Sequence, residues 1–560
     1  MLKELKSRGR EVVTKRLELE PVRVVLTQGK VEGAENMLKR KARQISLNMT
    51  DALQMQTDAE KTASVVFDFG CELHGSLRLN IFAGAREGAK LRFRFGESVS
   101  EAMSEIGGKT NATNDHTRRD FTAEVGFCSM NAIGETGFRF VRIDLLTEGT
   151  LLVKSVTAQL IYQDVPYRGT FTSSDELLNR IWATGAYTMH LNMQEYIWDG
   201  VKRDRLVWIA DMHPETLTVR TVFGDNPSVK KSLDFVREDT PLPGWMNHIA
   251  SYTMWYVIIL YDWYFYTGDL EWLRSQKSYL TGVARQLMGL IGDDGHYLLD
   301  QREYFLDWPS CEDPDATDAG VKAIHYQAIQ RLIDIFTALK DSGDEDLITS
   351  LRNEQQIIKG AARNLHNSKP AAALLGLFGL EDCAKMSEDI LLQRETKGMS
   401  TYMAYYILSA LSEAGHTKEA LELAKRYFGG MLSLGATTFW EDFDLDWTKN
   451  ASSIDRLPRE GETDVHGLYG GYCYKGFRHS LCHGWASGVT AWLTERVLGV
   501  TILEPGCTKL LVQPDLGNLD RAEGVFPTPL GDVRITVSKN NAGDTVCKTD
   551  APDGIEIVRQ

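Results

Sequence analysis

The chain has 560 residues, 43% of them hydrophobic and 25% charged, with a formal net charge of −15. That length suits roughly two to four globular domains, and the composition excludes a disordered chain. The acidic balance argues against a surface that grips a phosphate backbone, which needs concentrated Lys and Arg. Eight scattered cysteines give no C-x-x-C pair and no metal-ligand spacing, so neither a metal nor a disulfide framework is expected. The longest apolar run, residues 254–261, is closed by Asp262 and falls far short of the roughly 20 residues a membrane span requires. The first 20 residues are charged throughout and lack an apolar leader core, so a cytoplasmic location is expected.

Taken in chain order, residues 1–166 read as β. VVFDFG (65–70), GSLRLNIF (75–82), AKLRFRFGES (89–98), GFRFVRIDLL (137–146) and VKSVTAQLIY (153–162) are rich in β-branched and aromatic residues between Gly-containing or polar stretches. A further strand is predicted at residues 22–29. The texture changes near Gly169. The N-cap signal Ser173–Ser174–Asp175 opens a region, 167–500, in which apolar residues recur at helical spacing. Helical patterns cover 248–267, 269–291, 317–341, 344–366, 381–394, 398–414, 416–429 and 482–498. No strand-like alternation intervenes, so a parallel α/β fold is unsuited. A ring of helical hairpins, the (α/α)6 barrel, fits this pattern, whereas a solenoid would need a fixed repeat that is missing. From 501 to 560 the chain turns β again. The expected fold is therefore mainly α and multidomain, a six-hairpin barrel flanked by N-terminal and C-terminal β-sandwich domains.

The densest polar stretch runs from Trp198 to Glu215 and holds Asp199, Arg203, Asp204, Arg205, Trp208 and Asp211 between two helical patterns. Pro214 suits the start of the following helix, which puts the cluster on a loop. On spacing alone this is as well read as an ion-pair network that caps helices. Elsewhere, Asp442-x-Asp444-x-Asp446 resembles a calcium loop, but Trp447 stands where a turn glycine is needed. The acidic segment 311–318 reads as a solvated loop. No phosphate loop, zinc motif or G-x-S-x-G elbow is present.

The run Asp199…Arg203–Asp204–Arg205–Leu206…Trp208…Asp211 resembles the signature loop of the α-L-rhamnosidases, glycoside hydrolase family 78, and the chain is read as a divergent member. In that family an Asp-Cys-Pro opening leads to Arg, a Glu, Arg-Leu-Gly-Trp and a final Asp. Here Gly200–Val201 replaces Cys-Pro, and Asp204 stands at the Glu position. Other segments agree in order. GTFTSSDELLNRIW (169–182) is similar to the start of the family's barrel. Trp245 and the Leu306–Asp307–Trp308 segment fall where the family carries sugar-stacking Trp residues. Thr437–Thr438–Phe439–Trp440–Glu441 resembles the segment bearing the general base, and His483 matches a family histidine.

The resemblance implies an inverting glycosidase that removes a terminal α-L-rhamnose or a related sugar, with no cofactor and a carbohydrate as its partner. It casts Asp204 as general acid and Glu441 as general base. Asp199, Arg203, Trp208, Asp211, Trp245, Asp307, Trp308, Trp440 and His483 would meet the sugar, and residues 442–480 read as an insertion shaping the sites beyond it. Two alternatives stay open: a same-fold hydrolase of another sugar, and a glycan-binding protein without catalysis. Oligomeric state is not encoded in any motif.

Overall fold

The computed structural model describes residues 12–39, 48–84 and 88–559. The leaderless N-terminal reading thus rests partly on residues outside those described. The chain divides into two compact units. One comprises residues 1–164, 190–206 and 430–483, the other 165–189, 207–429 and 484–560.

The first unit is built on a nine-stranded antiparallel sheet: β1 (Thr14–Leu19), β2 (Arg23–Gln28), β3 (Lys30–Glu32), β4 (Leu53–Thr57), β5 (Ala63–Ala83), β6 (Ala89–Gly96), β7 (Asp120–Val125), β8 (Met130–Leu145) and β9 (Gly149–Gln163). The order β3-β4-β9-β5-β8-β6-β7 is extended by β1 on β9 and β2 on β5. VVFDFG and GSLRLNIF, separate strands in the sequence reading, are one strand. β5 continues through residues 71–74 with register shifts against β8 between Asp68 and Leu73 and between Gly75 and Leu77. Such bulges keep the pairing while re-aiming side chains. They let β5 pair with β2 through its first part and with β9 through its second. Leu53, Phe67, Leu79, Phe93, Val141 and Val153 gather in one hydrophobic core. Between β6 and β7, helix α1 (Val99–Met103) starts at Ser98, whose hydroxyl accepts the Glu101 N–H.

The second unit is helical. Its helices are α2 (Glu176–Asn192), α3 (Met212–Val222), α4 (Pro227–Asp239), α5 (Ala250–Thr267), α6 (Leu270–Leu287), α7 (Pro314–Leu339), α8 (Glu345–Gly360), α9 (Lys369–Leu377), α10 (Cys383–Met386), α11 (Ala404–Glu413), α12 (Thr417–Ser433) and α13 (Gly488–Trp492). Helices α3, α5, α7, α9, α11 and α13 each pack on the next, and α13 returns to α3, which closes an inner ring. The sequence explains which helices go inside. α5 reads ASYTMWYVIILYDWYFYT, apolar on nearly every side, and fourteen of its residues are buried. Its outer neighbour α6 buries one stripe, Leu273, Gln276, Leu280, Val283, Ala284 and Leu287. Caps set the boundaries: Asp313 accepts the Ala316 N–H ahead of Pro314, and Asp269 accepts that of Trp272. Thr170–Ser173 pairs with Arg521–Thr528, which continues to Gly531–Lys539 and Thr545–Asp550. All eight cysteines are free thiols. Among the described residues no helix is long and apolar enough to cross a membrane.

Candidate active site

In the first unit, the loop after Trp198 is folded by Asp199. Its buried carboxylate accepts the backbone N–H groups of Asp204, at 2.8 Å, and Leu206, at 2.9 Å, while its own N–H donates to Leu206 O. Gly200 makes the turn sterically possible, because a Cβ there would lie 2.3 Å from Arg203 O. The glycine that departs from the family pattern is thus demanded by the shape of this loop. Gly200 also pairs with His483 in an isolated antiparallel bridge, and His483 N–H donates to Phe439 O.

Two successive cations leave the loop for different partners. Lys202 Nζ lies 2.9 Å from Glu97 and 3.3 Å from Glu101, and donates to the carbonyls of Phe477 and His479. Arg203 joins the two carboxylates read as acid and base. Its Nη1 donates to Asp204 Oδ1 at 2.8 Å, its Nη2 to Glu441 Oε1 at 2.6 Å, and its Nε to Arg478 O at 2.7 Å. Arg203 and Glu441 are buried, and the Asp204 side chain is 17% exposed, which leaves it open to a ligand. Glu441 is fixed further by Ser480, whose N–H donates to Oε2 at 3.1 Å. Next to it, the Asp442 N–H donates to His479 Nε2, and burial pushes His479 well below the usual histidine range, so this imidazole is a neutral acceptor.

Three contacts escaped the sequence reading. His116 Nε2 lies 3.2 Å from Asp204 Oδ1, and Arg478 Nη2 lies 3.2 Å from the same nitrogen. Asp115, beside His116, accepts from Arg478 Nε at 2.7 Å. Residues 115, 204 and 478 share no local pattern, so no spacing signal was available. Trp440 is fully buried, edge-on to Phe443 and His479. In the segment 442–480, Trp447 stacks on Tyr469 at 5.3 Å, and Asp444 is occupied as the cap of a short turn.

In the second unit, Trp208 and Asp211 precede α3, with Asp211 buried at its N-cap position and the half-buried Trp208 ring edge-on to Tyr252. Asn247 holds the chain here by accepting from Ile209 N–H and donating to Val207 O. Trp245 is half-buried ahead of α5. Asp307 and Trp308 precede α7. Asp307 is buried and accepts from Ser310 N–H and the Ser400 hydroxyl. Burial raises its carboxyl above the usual range, and those hydrogen bonds oppose the shift. Trp308 is half-buried, edge-on to Phe305 at 5.2 Å.

Residues 166–364 match the family model described as the bacterial α-L-rhamnosidase six-hairpin glycosidase domain. An α-L-rhamnosidase of Alteromonas sp. (strain LOR) is 24% identical over 541 residues, covering 87% of this chain and 54% of its own. The chain thus spans about half the length of the curated relative it matches. Among solved structures, a family 78 rhamnosidase of Bacillus sp. GL1 superposes with a TM-score of 0.75 at 19% identity, covering 94% of this chain and 55% of that one. A rhamnosidase from Klebsiella oxytoca, solved with rhamnose bound, gives 0.67 at 18% identity, covering 88% and 97%. These likenesses carry the fold: a six-hairpin barrel with β regions flanking it in sequence.

Proposed function

We propose, for a chain that belongs to the α-L-rhamnosidase family of six-hairpin glycosidases, the hydrolysis of a terminal α-linked L-rhamnose with inversion at the anomeric carbon. The observation that carries this reading is the Arg203 guanidinium held between Asp204 and Glu441. Asp204, in its protonated form, gives its proton to the glycosidic oxygen as the bond to the anomeric carbon breaks. Glu441, ionised, takes a proton from the water that attacks the opposite face. Inversion asks for carboxyls roughly 6.5–9.5 Å apart, leaving room for that water. Arg203 orients both groups before substrate arrives, and Asp199 fixes the loop backbone that presents Asp204. His116 positions the acid through the same oxygen, Asp204 Oδ1, that Arg203 holds. Trp208, Asp211, Trp245, Asp307, Trp308 and His483 keep the sugar-contacting roles that the resemblance gives them, and apolar Trp walls suit the 6-methyl group of rhamnose. Trp440, fully buried, backs the Glu441 segment instead.

The test is a panel of nitrophenyl glycosides cleaved by wild type and Asp204→Asn. Release from the α-L-rhamnoside, abolished by the substitution, supports the reading. Release from another glycoside alone overturns the sugar. One feature favours a second reading, a glycan-binding protein without turnover: the acid position carries Asp, one methylene shorter than Glu, already engaged by Arg203. Sugar binding equal in wild type, Asp204→Asn and Glu441→Gln, with no hydrolysis by any of them, would select it.

A further inference from the structure

The inner helices of the barrel enclose a second chemically equipped space, away from the loops that carry Trp208, Asp211, Trp245, Asp307 and Trp308. Those loops precede the N-termini of α3, α5 and α7. Arg220, Asp262 and Arg331 stand 8, 12 and 17 residues into the same helices. At 1.5 Å per residue they lie about 12 to 26 Å along the axes from those N-termini. Together with α11 and residues 495–502 they line a cavity of about 480 Å³, a volume that accommodates a monosaccharide.

Its lining suits one kind of ligand. Each cation already has a carboxylate: Arg220 lies 2.7 Å from Glu495, Arg496 lies 2.6 Å from Glu413, and Asp262 sits between His213 at 3.3 Å and Arg331 at 3.7 Å. No uncompensated charge is left to demand an ion. Burial pushes the Tyr405 and Tyr406 hydroxyls well above their usual range, so both stay protonated. Tyr405 donates to Glu495 at 2.8 Å. Arg220 Nε and the buried Ser409 Oγ have no hydrogen-bond partner among the described residues. Buried polar atoms of this kind are costly unless something satisfies them. Phe378 and Tyr406 add aromatic surface, and Tyr261, with Arg331 4.6 Å over its ring and Phe265 stacked on it at 5.4 Å, forms part of the wall. Paired carboxylates and guanidinia present donors and acceptors in the planar forks that vicinal hydroxyls match, and the rings suit the C–H face of a pyranose.

We propose that this cavity is a second binding site, for a neutral monosaccharide, at the far end of the barrel helices. Arg220 Nε and Ser409 Oγ take sugar hydroxyls, and Tyr261 forms part of the wall beside them.

The test is calorimetric titration of the full chain with L-rhamnose, D-glucose, D-galactose and inorganic phosphate, for wild type, Ser409→Leu and Tyr261→Ala. Ser409→Leu fills the cavity. Tyr261→Ala changes a half-buried ring and guards against a misfolded first variant. The expected result is a sugar site weakened by about tenfold or more in the cavity variants, which still hydrolyse the aryl rhamnoside at the wild-type rate, and no heat with phosphate. Sugar binding unchanged in the folded variants, no sugar binding beyond the catalytic loop, or phosphate binding in place of sugar would each overturn it. The readout is binding, so absence of hydrolysis in wild type would sink the proposed reaction and leave this test standing.

Discussion

Lys202 and Arg203 are adjacent, both buried and both paired with carboxylates, yet they anchor two different kinds of ion cluster. Lys202 enters a sealed one, with Glu97 and Glu101 beside it and Glu72 close by, all essentially without solvent contact. Arg203 enters one whose Asp204 edge meets solvent. The sealed cluster ties the loop to α1 and β6, while the open one places two carboxylates where a ligand reaches at least one of them. A buried ion pair is weak evidence for stability in itself, because desolvation offsets much of the attraction. What the pair of clusters teaches is a division of labour: one cation fixes the loop, and its neighbour holds the two carboxylates proposed to react.

Substitutions separate the two. Asp204→Asn and Glu441→Gln carry the largest expected effect, a fall in kcat of about 10²–10⁴-fold with little change in Tm, read from steady-state hydrolysis beside thermal unfolding. Lys202→Met acts the other way round. It leaves buried carboxylates without their cation, and about 3–5 kcal/mol of stability should be lost, read as a lower denaturant midpoint. A Lys202→Met protein as stable as wild type would erase the distinction.

The sealed cluster also has a pH signature. Burial raises the Glu97 carboxyl from its ordinary value of 4.5 to about 7, against the pull of Lys202. Between those values the folded state binds more protons than the unfolded one, so the stabilisation is complete below about pH 4.5 and is lost as pH rises through 7. Glu97→Gln should flatten the decline of Tm over that window, by an amount on the order of 1–3 kcal/mol in stability. The smallest effect belongs to His116→Gln. It touches Asp204 from outside the loop, so kcat/KM should fall less than about tenfold, with the pH–rate profile displaced and Tm unchanged. A change in Tm without a displaced profile would make His116 structural.

Much of this was legible in the sequence, for reasons that are local. The helical period after Gly169, the cap at Asp175, which accepts the Leu177 and Leu178 N–H groups, and the Asp199-to-Asp211 spacing are all written close to where they act. The acidic segment 311–318, read as a solvated loop, is instead in large part the cap and partly buried first turn of α7. β5 was misread as two strands because a bulge and a strand break carry the same Gly and polar signals. The contacts of Lys202 with Glu97 and Glu101, of His116 with Asp204 and of Ser480 with Glu441 were not readable, since each joins residues 39 to 105 positions apart with no shared pattern. The pairing of Arg203 with both carboxylates became visible only once the fold brought residue 441 to it.

The most direct measurement is the stereochemistry of the first product. Proton NMR, recorded during rapid hydrolysis of 4-nitrophenyl α-L-rhamnoside by wild type, follows the anomer released before mutarotation. The account predicts β-L-rhamnose first, as Asp204 protonates the leaving oxygen and Glu441 directs water to the opposite face. Initial release of the α anomer, or no release at all, would contradict it.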